Sequence, residues 1–177
     1  MPDLPKEILD KAQNIKLLVL DVDGVLSDGK LYFSDQGEEI KAFSTLDGQG
    51  IKLLQKSGID VALITGRESK IVTLRAQELG IKQLIQGCEE KLDALNDILQ
   101  AMNLTLQEVA YIGDDLPDLA CIRQVGFGVT VPNANPVLLK HALCCTERSG
   151  GQGAVREICD LILQAQNKFD VAIAPFM

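Results

Sequence analysis

"KLLVLDVDGVLSDG" spans Lys16 to Gly29. The apolar run Leu17–Val22 is interrupted once, by Asp21, and a second carboxylate, Asp23, follows two positions later. A run of Leu and Val without polar alternation marks a strand buried on both faces, as in a parallel sheet covered by helices. Two acids at the tip of such a strand are unfavourable unless chemistry uses them. Residues i and i+2 of a regular strand share a face. At a strand end the chain begins to turn, so Asp21 and Asp23 can address different sides of one ligand.

Outward from that strand, short apolar runs alternate with amphipathic segments. Lys30–Ser44 places β-formers on either side of "DQG", a hairpin signature. Gly50–Gly58 reads as a helix closed by glycine, Asp60–Gly66 as a second buried strand, and Glu68–Leu79 as a helix. Lys82–Gly87 is a short strand and Glu89–Met102 a helix with Leu92, Leu95, Ile98 and Leu99 on one stripe. Glu108–Asp115 is a strand ending in acid, Leu116–Gln124 a helix, and Gly126–Val131 a strand stopped by Pro132. Pro136–His141, Ala142–Thr146 and Ala154–Lys168 read as a short helix, a last strand and a final helix, ahead of the apolar tail "FDVAIAPFM". The expected fold is α/β: a Rossmann-like parallel sheet with helices on both faces and a small β-hairpin insertion at about 25–44. It forms one domain, 1–177, with a tail at 169–177.

Ligands of such sheets bind beyond the carboxyl ends of the strands. There the sequence supplies Asp21 and Asp23, then Thr65, Gly66 and Arg67, then Asp114 and Asp115, while Lys91 opens the helix after the third strand. Singly, each has a plain structural role: Asp caps helices, Thr closes a strand, Lys91 is a solvated charge. Together they are harder to explain that way, because converging carboxylates raise one another's pKa. A bound cation removes the repulsion, and hard oxygen ligands that leave room for substrate phosphate suit Mg²⁺. One carboxylate of the first pair can then attack phosphorus. The other can protonate the leaving oxygen and activate water. Lys91 and Thr65 can hold the phosphoryl oxygens, and Gly24 and Gly66 let backbone N–H groups approach the anion.

The series D-x-D-G-V, strand-Thr, Lys and G-D-D, in that order, resembles the haloacid dehalogenase superfamily of aspartate-nucleophile phosphatases. "DVDGVLSDGKLYFSDQGEEIKAF", "DGQGIKLL", "ITGRES", "GDDLPDL" and "SGGQGAVREICDLIL" extend the likeness from about Ile15 to Lys168, to a branch that acts on an eight-carbon sugar acid phosphate. The resemblance implies Mg²⁺, a homotetramer, a cytoplasmic location and a place in lipopolysaccharide synthesis. It implies that Asp21 is nucleophile and metal ligand. Asp23 is the acid/base and ligates through its backbone carbonyl. Asp114 is the third ligand, supported by Asp115, and Thr65 and Lys91 bind phosphate. Ser44, Thr45, Leu46, Asp47, Gly48, Lys52, Arg67 and Arg75 lie near the sugar, with Asp23 and Lys91 beside them. The chain departs from the family pattern at Leu46, where a basic residue is expected, at Lys52, where Arg is, and at Pro117, where a polar residue is.

Only 41 residues separate Asp23 from Thr65 and 25 separate Thr65 from Lys91. Neither gap holds a separate cap domain, and the hairpin is too small for an independent lid. The expectation is that the hairpin packs on a neighbouring subunit and that assembly shapes the pocket. The apolar tail either packs on its own core or crosses to another subunit. Gly150, Gly151 and Gly153 either offer an anion site at the last helix N-terminus or form a plain loop, and Arg156 in that helix's first turn opposes the dipole.

Charge and composition narrow the alternatives. A net charge of −8 disfavours general nucleic-acid binding, and no run approaches the ~18 apolar residues of a membrane span. The five cysteines form no C-x-x-C pair and read as reduced thiols. The single histidine, His141, reads as structural. Competing readings are a phosphatase of nine-carbon sugar acid 9-phosphates, a non-catalytic tetramerisation module like those fused to sialic acid-activating enzymes, and a signalling receiver. A module has no need for the full set Asp21, Asp23, Thr65, Lys91 and Asp114. A receiver places its acidic pair first and its acceptor after a middle strand, the reverse of the order here.

Overall fold

The computed structural model describes residues 5–177; residues 1–4 of the expected domain lie outside it. Its strands are β1 (Leu17–Leu20), β2 (Tyr32–Phe33), β3 (Glu39–Ile40), β4 (Asp60–Ile64), β5 (Gln83–Ile85), β6 (Val109–Gly113), β7 (Phe127–Thr130) and β8 (Cys144–Cys145). Its helices are α1 (Lys6–Ala12), α2 (Thr45–Lys56), α3 (Lys70–Leu79), α4 (Lys91–Met102), α5 (Leu119–Gln124), α6 (Pro136–Leu139), α7 (Ala154–Ala165) and α8 (Phe169–Ile173). Six strands form one parallel sheet in the order β5-β4-β1-β6-β7-β8, and β2 and β3 pair antiparallel as the hairpin. The expected α/β sheet with helices on both faces, and the hairpin, are therefore present.

Strand alternation sorts the core into two layers. Leu18 and Leu20 of β1 join Leu63, Ile112, Phe127 and Val129 beneath α1, α2, α3 and α7. Leu17 and Val19 join Ala62, Ile64, Val109 and Tyr111 beneath α4, α5 and α6. All four residues of β1 are fully buried, and each such Leu or Val contributes on the order of 1.5–3 kcal/mol. That investment fixes the central strand, and so the position of Asp21 just beyond it.

Three segments differ from expectation. α2 begins at Thr45, five residues before the expected start, under a Ser44 cap that accepts from Asp47 N at 3.5 Å. Gly48 and Gly50 are packing positions within this helix. A Cβ on Gly48 would sit 2.5 Å from Arg75 Nη2, and one on Gly50 3.1 Å from the Cα of Arg156. α1 formed no part of the sequence reading, and it contributes the buried Ala12. The tail continues as α8 and a 3₁₀ turn, Ala174–Phe176. Phe169 and Ala172 pack on the same core as α7, while Val171, Phe176 and Met177 stay exposed.

The glycine loop before α7 packs backbone against backbone. A Cβ on Gly150 would lie 1.7 Å from the carbonyl oxygen of Gly24, and Gly151 N donates to Val25 O at 2.9 Å. The helix N-terminus is taken by a carboxylate of the chain itself: Arg156 N donates to Asp47 Oδ1 at 2.8 Å. The Arg156 side chain reaches on to Asp160, 2.8 Å from both carboxylate oxygens, which answers its unfavourable place in the first turn. Among the described residues, no helix is long and apolar enough to cross a membrane. All five cysteines are free, and burial pushes the Cys121 thiol up to about 12. His141 is exposed just past α6.

Candidate active site

The sheet order reverses at β1: β4 lies on one side and β6 on the other, with Leu20 in register with both Leu63 and Ile112. Side chains following β1 and β6 therefore meet at a topological switch point, where such sheets bind ligands. Asp21 follows β1 and Asp114 follows β6. Carboxylate oxygens of Asp21, Asp114 and Asp118 all lie within 4.8 Å of one another.

Lys91, the first residue of α4, is buried against this cluster. Its Nζ donates to Asp21 Oδ1 at 2.6 Å and to Asp118 Oδ1 at 2.7 Å. Burial opposes its charge, but the two carboxylates outweigh burial and its pKa is raised. Asp118 lies outside the residues expected from sequence. Its Oδ1 also accepts from Tyr111 Oη at 2.8 Å, and its Oδ2 accepts from the backbone N–H groups of Asp114 at 3.1 Å and Asp115 at 3.3 Å. Four donors fill its acceptor sites, so Asp118 organises the site rather than offering free oxygens. The available signal was its spacing, three residues after Asp115, whose side chain and that of Asp118 form a reciprocal capping box.

Lys91 Nζ is the side-chain donor to the Asp21 carboxylate, and the backbone N–H of Val22 lies beside it. Burial, then the charge of Asp118, pushes Asp21 up to about 7 against the pull of Lys91. Burial, then the charges of Asp21, Asp118 and Asp115, pushes Asp114 up to about 8. Carboxylates this crowded ionise together only beside added positive charge. The donor set is hard oxygen, without nitrogen or sulfur, and fits a hard divalent cation such as Mg²⁺. Gly24 makes room for it to form: at φ +99, a Cβ there would lie 2.0 Å from Asp114 Oδ2.

Asp23 points elsewhere. Its Oδ1 pairs with Lys41 of the hairpin, and its Oδ2 is 3.6 Å from Arg67 Nε. Thr65 follows β4 and is 2% exposed, with Arg67 N 3.5 Å from its hydroxyl. Asp115 is exposed and accepts from Asn135 Nδ2 at 3.0 Å. Thus Asp21, Lys91 and Asp114 are brought together at one point, with Asp23, Thr65 and Arg67 on the loops beside it.

The residues expected near the sugar divide. Arg67 is half-exposed, and Thr45 and Leu46 are exposed on the first turn of α2. Asp47 and Gly48 are buried, and Asp47 caps α7 as described; burial raises its pKa against the N–H groups of Arg156 and Gly153. Arg75 braces the same turn from behind: Nη2 donates to Ser44 O at 3.2 Å, Nη1 meets Glu78 Oε2 at 2.8 Å, and the guanidinium lies 5.6 Å from the Phe43 ring centroid. Glu78 is held low by the hydrogen bond and charge of Arg75, and then by the charge of Lys52, which is half-buried.

A parallel sheet with its acids, threonine and lysine in this chain order defines a haloacid dehalogenase-like hydrolase, and residues 86–158 match that family. More narrowly, the chain belongs to the 3-deoxy-D-manno-octulosonate 8-phosphate phosphatases, a family of phosphoric monoester hydrolases. It is 51% identical over 166 residues to the Yersinia pestis phosphatase of that name, covering 94% of this chain and 89% of the relative. Against the Escherichia coli K12 enzyme the identity is 49%, covering 94% and 88%. The structure superposes with a TM-score of 0.96 and 49% identity on the Moraxella catarrhalis phosphatase solved with magnesium, phosphate and KDO, covering 98% of this chain and 100% of that one.

Proposed function

We propose that this chain hydrolyses 3-deoxy-D-manno-octulosonate 8-phosphate to the free sugar acid and phosphate through an aspartyl-phosphate on Asp21. The carrying observation is the meeting of Asp21, Lys91 and Asp114 at the switch point of a chain about half identical to such enzymes. Lys91 holds Asp21 Oδ1 at 2.6 Å, which leaves Oδ2 to attack phosphorus. As the P–O bond to the sugar breaks, Asp23 gives its proton to the leaving oxygen. Asp23 then takes a proton from water as that water attacks the aspartyl-phosphate, which releases phosphate and restores Asp21. Lys91 and Thr65 steady the phosphoryl oxygens. Asp21 and Asp114, with the Asp23 backbone carbonyl, would hold Mg²⁺, whose charge offsets that of the phosphoryl group.

The sugar contacts fall to Arg67 and the Ser44–Gly48 turn, with Asp47 and Arg75 fixing the turn from behind. Leu46, 48% exposed where the family pattern has a basic residue, favours a test of a second ester. Side-by-side turnover with Mg²⁺ is expected to favour the eight-carbon 8-phosphate over a nine-carbon sugar acid 9-phosphate by at least about 10-fold in kcat/KM. The reverse order would assign the nine-carbon substrate. No turnover of either would support a non-catalytic module.

The assembly is proposed to be a cytoplasmic homotetramer acting in lipopolysaccharide synthesis. Leu31, Tyr32, Phe33 and Ile40 of the hairpin are 42–58% exposed, an apolar set suited to a neighbouring copy. Light scattering is expected to give four chains per particle. A fully active, monodisperse monomer would contradict this.

A further inference from the structure

The hairpin also carries a buried cation. The Lys41 side chain is 1% exposed, although Ile40 before it is 55% exposed. An ammonium so placed needs carboxylate partners, and Lys41 has two. Nζ pairs with Asp23 Oδ1, and it lies 3.2 Å from Glu39 Oε1. Glu39 is itself fixed: Oε1 is 3.2 Å from Arg67 Nη2, and Oε2 accepts from Ser69 Oγ at 2.6 Å. Arg67 Nε closes the circuit 3.6 Å from Asp23 Oδ2. Asp23, Lys41, Glu39 and Arg67 thus form a ring of alternating charge. It joins the turn after β1, the hairpin and the loop after β4. Both oxygens of Asp23 are engaged by cations, one of them delivered by the hairpin.

We infer that Lys41 is the positioning residue of the Asp23 carboxyl group, pinning Oδ1 so that Oδ2, which faces only the half-exposed Arg67 at 3.6 Å, is the oxygen that carries the proton to the leaving oxygen. The hairpin thereby sets the geometry of proton transfer as well as offering an apolar face. The inference rests on Asp23 being the proton carrier of the proposed reaction, and acts on that step alone. A poorly stabilised sugar alkoxide needs the proton; a nitrophenolate, being a far weaker base, leaves without it.

Single-turnover release of the alcohol, with Mg²⁺ present, separates these cases. Lys41→Met is expected to slow release from the sugar acid phosphate on the order of 10²-fold. Release from p-nitrophenyl phosphate should stay within about 3-fold and KM should be unchanged, while Lys41→Arg recovers most of the rate. Should Lys41→Met not fold, Glu39→Gln, which loosens Lys41 without removing it, is expected to show the same selectivity. Equal slowing of both esters, or no slowing, overturns the inference. Asp23→Asn, run beside them, shows where a failure lies. If Asp23→Asn slows the sugar ester and Lys41→Met does not, only the positioning role falls. If neither does, the acid-base reading beneath it falls too.

Discussion

Asp21→Asn is expected to release no measurable phosphate, a loss of about 10⁴-fold or more, while keeping its fold. The amide has the shape of the carboxylate, and its oxygen can still accept from Lys91 Nζ, which holds Oδ1 at 2.6 Å in the parent. What it lacks is an oxygen able to attack phosphorus. Stability should not fall. Burial and the nearby Asp118 charge already press Asp21 up to about 7, so a neutral side chain relieves repulsion. A phosphate-release assay paired with urea denaturation checks both halves. Substantial turnover would remove Asp21 as nucleophile. Inactivity with an unfolded chain would leave the loss to structure.

Asp118→Ala is expected to cost both stability and rate. Asp118 is 1% exposed and serves four donors: Lys91, Tyr111 and the N–H groups of Asp114 and Asp115. Alanine takes this acceptor from the buried Tyr111 and from the Asp114 and Asp115 N–H groups, and leaves Lys91 with Asp21 alone. Breaking a buried charge pair at one end costs about 3–5 kcal/mol, and each orphaned donor adds to the strain. Asp114 also loses the contacts that orient its backbone, so turnover should drop about 10²-fold. Asp118→Asn keeps part of the hydrogen bonding and should fall between alanine and the parent. A loss below about 1 kcal/mol with normal turnover would mean that Lys91 and the β6 turn hold themselves in place.

The sheet was legible because its strands are buried on both faces. Leu17–Leu20, Asp60–Ile64 and Val109–Gly113 read as apolar runs with polar groups just past their ends, and those ends converge. Legibility failed where a distant partner decides the role. The helix read from Gly50 starts five residues earlier, because Gly48 and Gly50 let Arg75 and α7 press against it. Lys41 and Glu39 look like hairpin surface charges, yet Lys41 finds Asp23, 18 residues away. Asp118 looks like a helix-start acid, and only its meeting with Lys91, 27 residues back, makes it central. Asp47 and Arg75 also reach across the fold, to the N-terminus of α7 and to Ser44 O, which spacing along the chain does not show. Local pattern carries the strand tips; charge pairing across the sheet follows from how the loops pack.

The central claim is the covalent step at Asp21. Rapid acid quench during turnover of the sugar acid phosphate with Mg²⁺, followed by peptide mapping, tests it most directly. The account predicts one phosphoryl group on the peptide bearing Asp21, accumulating further in Asp23→Asn and absent from Asp21→Asn. Steady turnover with no phosphoryl group on that peptide, or with one on another carboxylate, would contradict it.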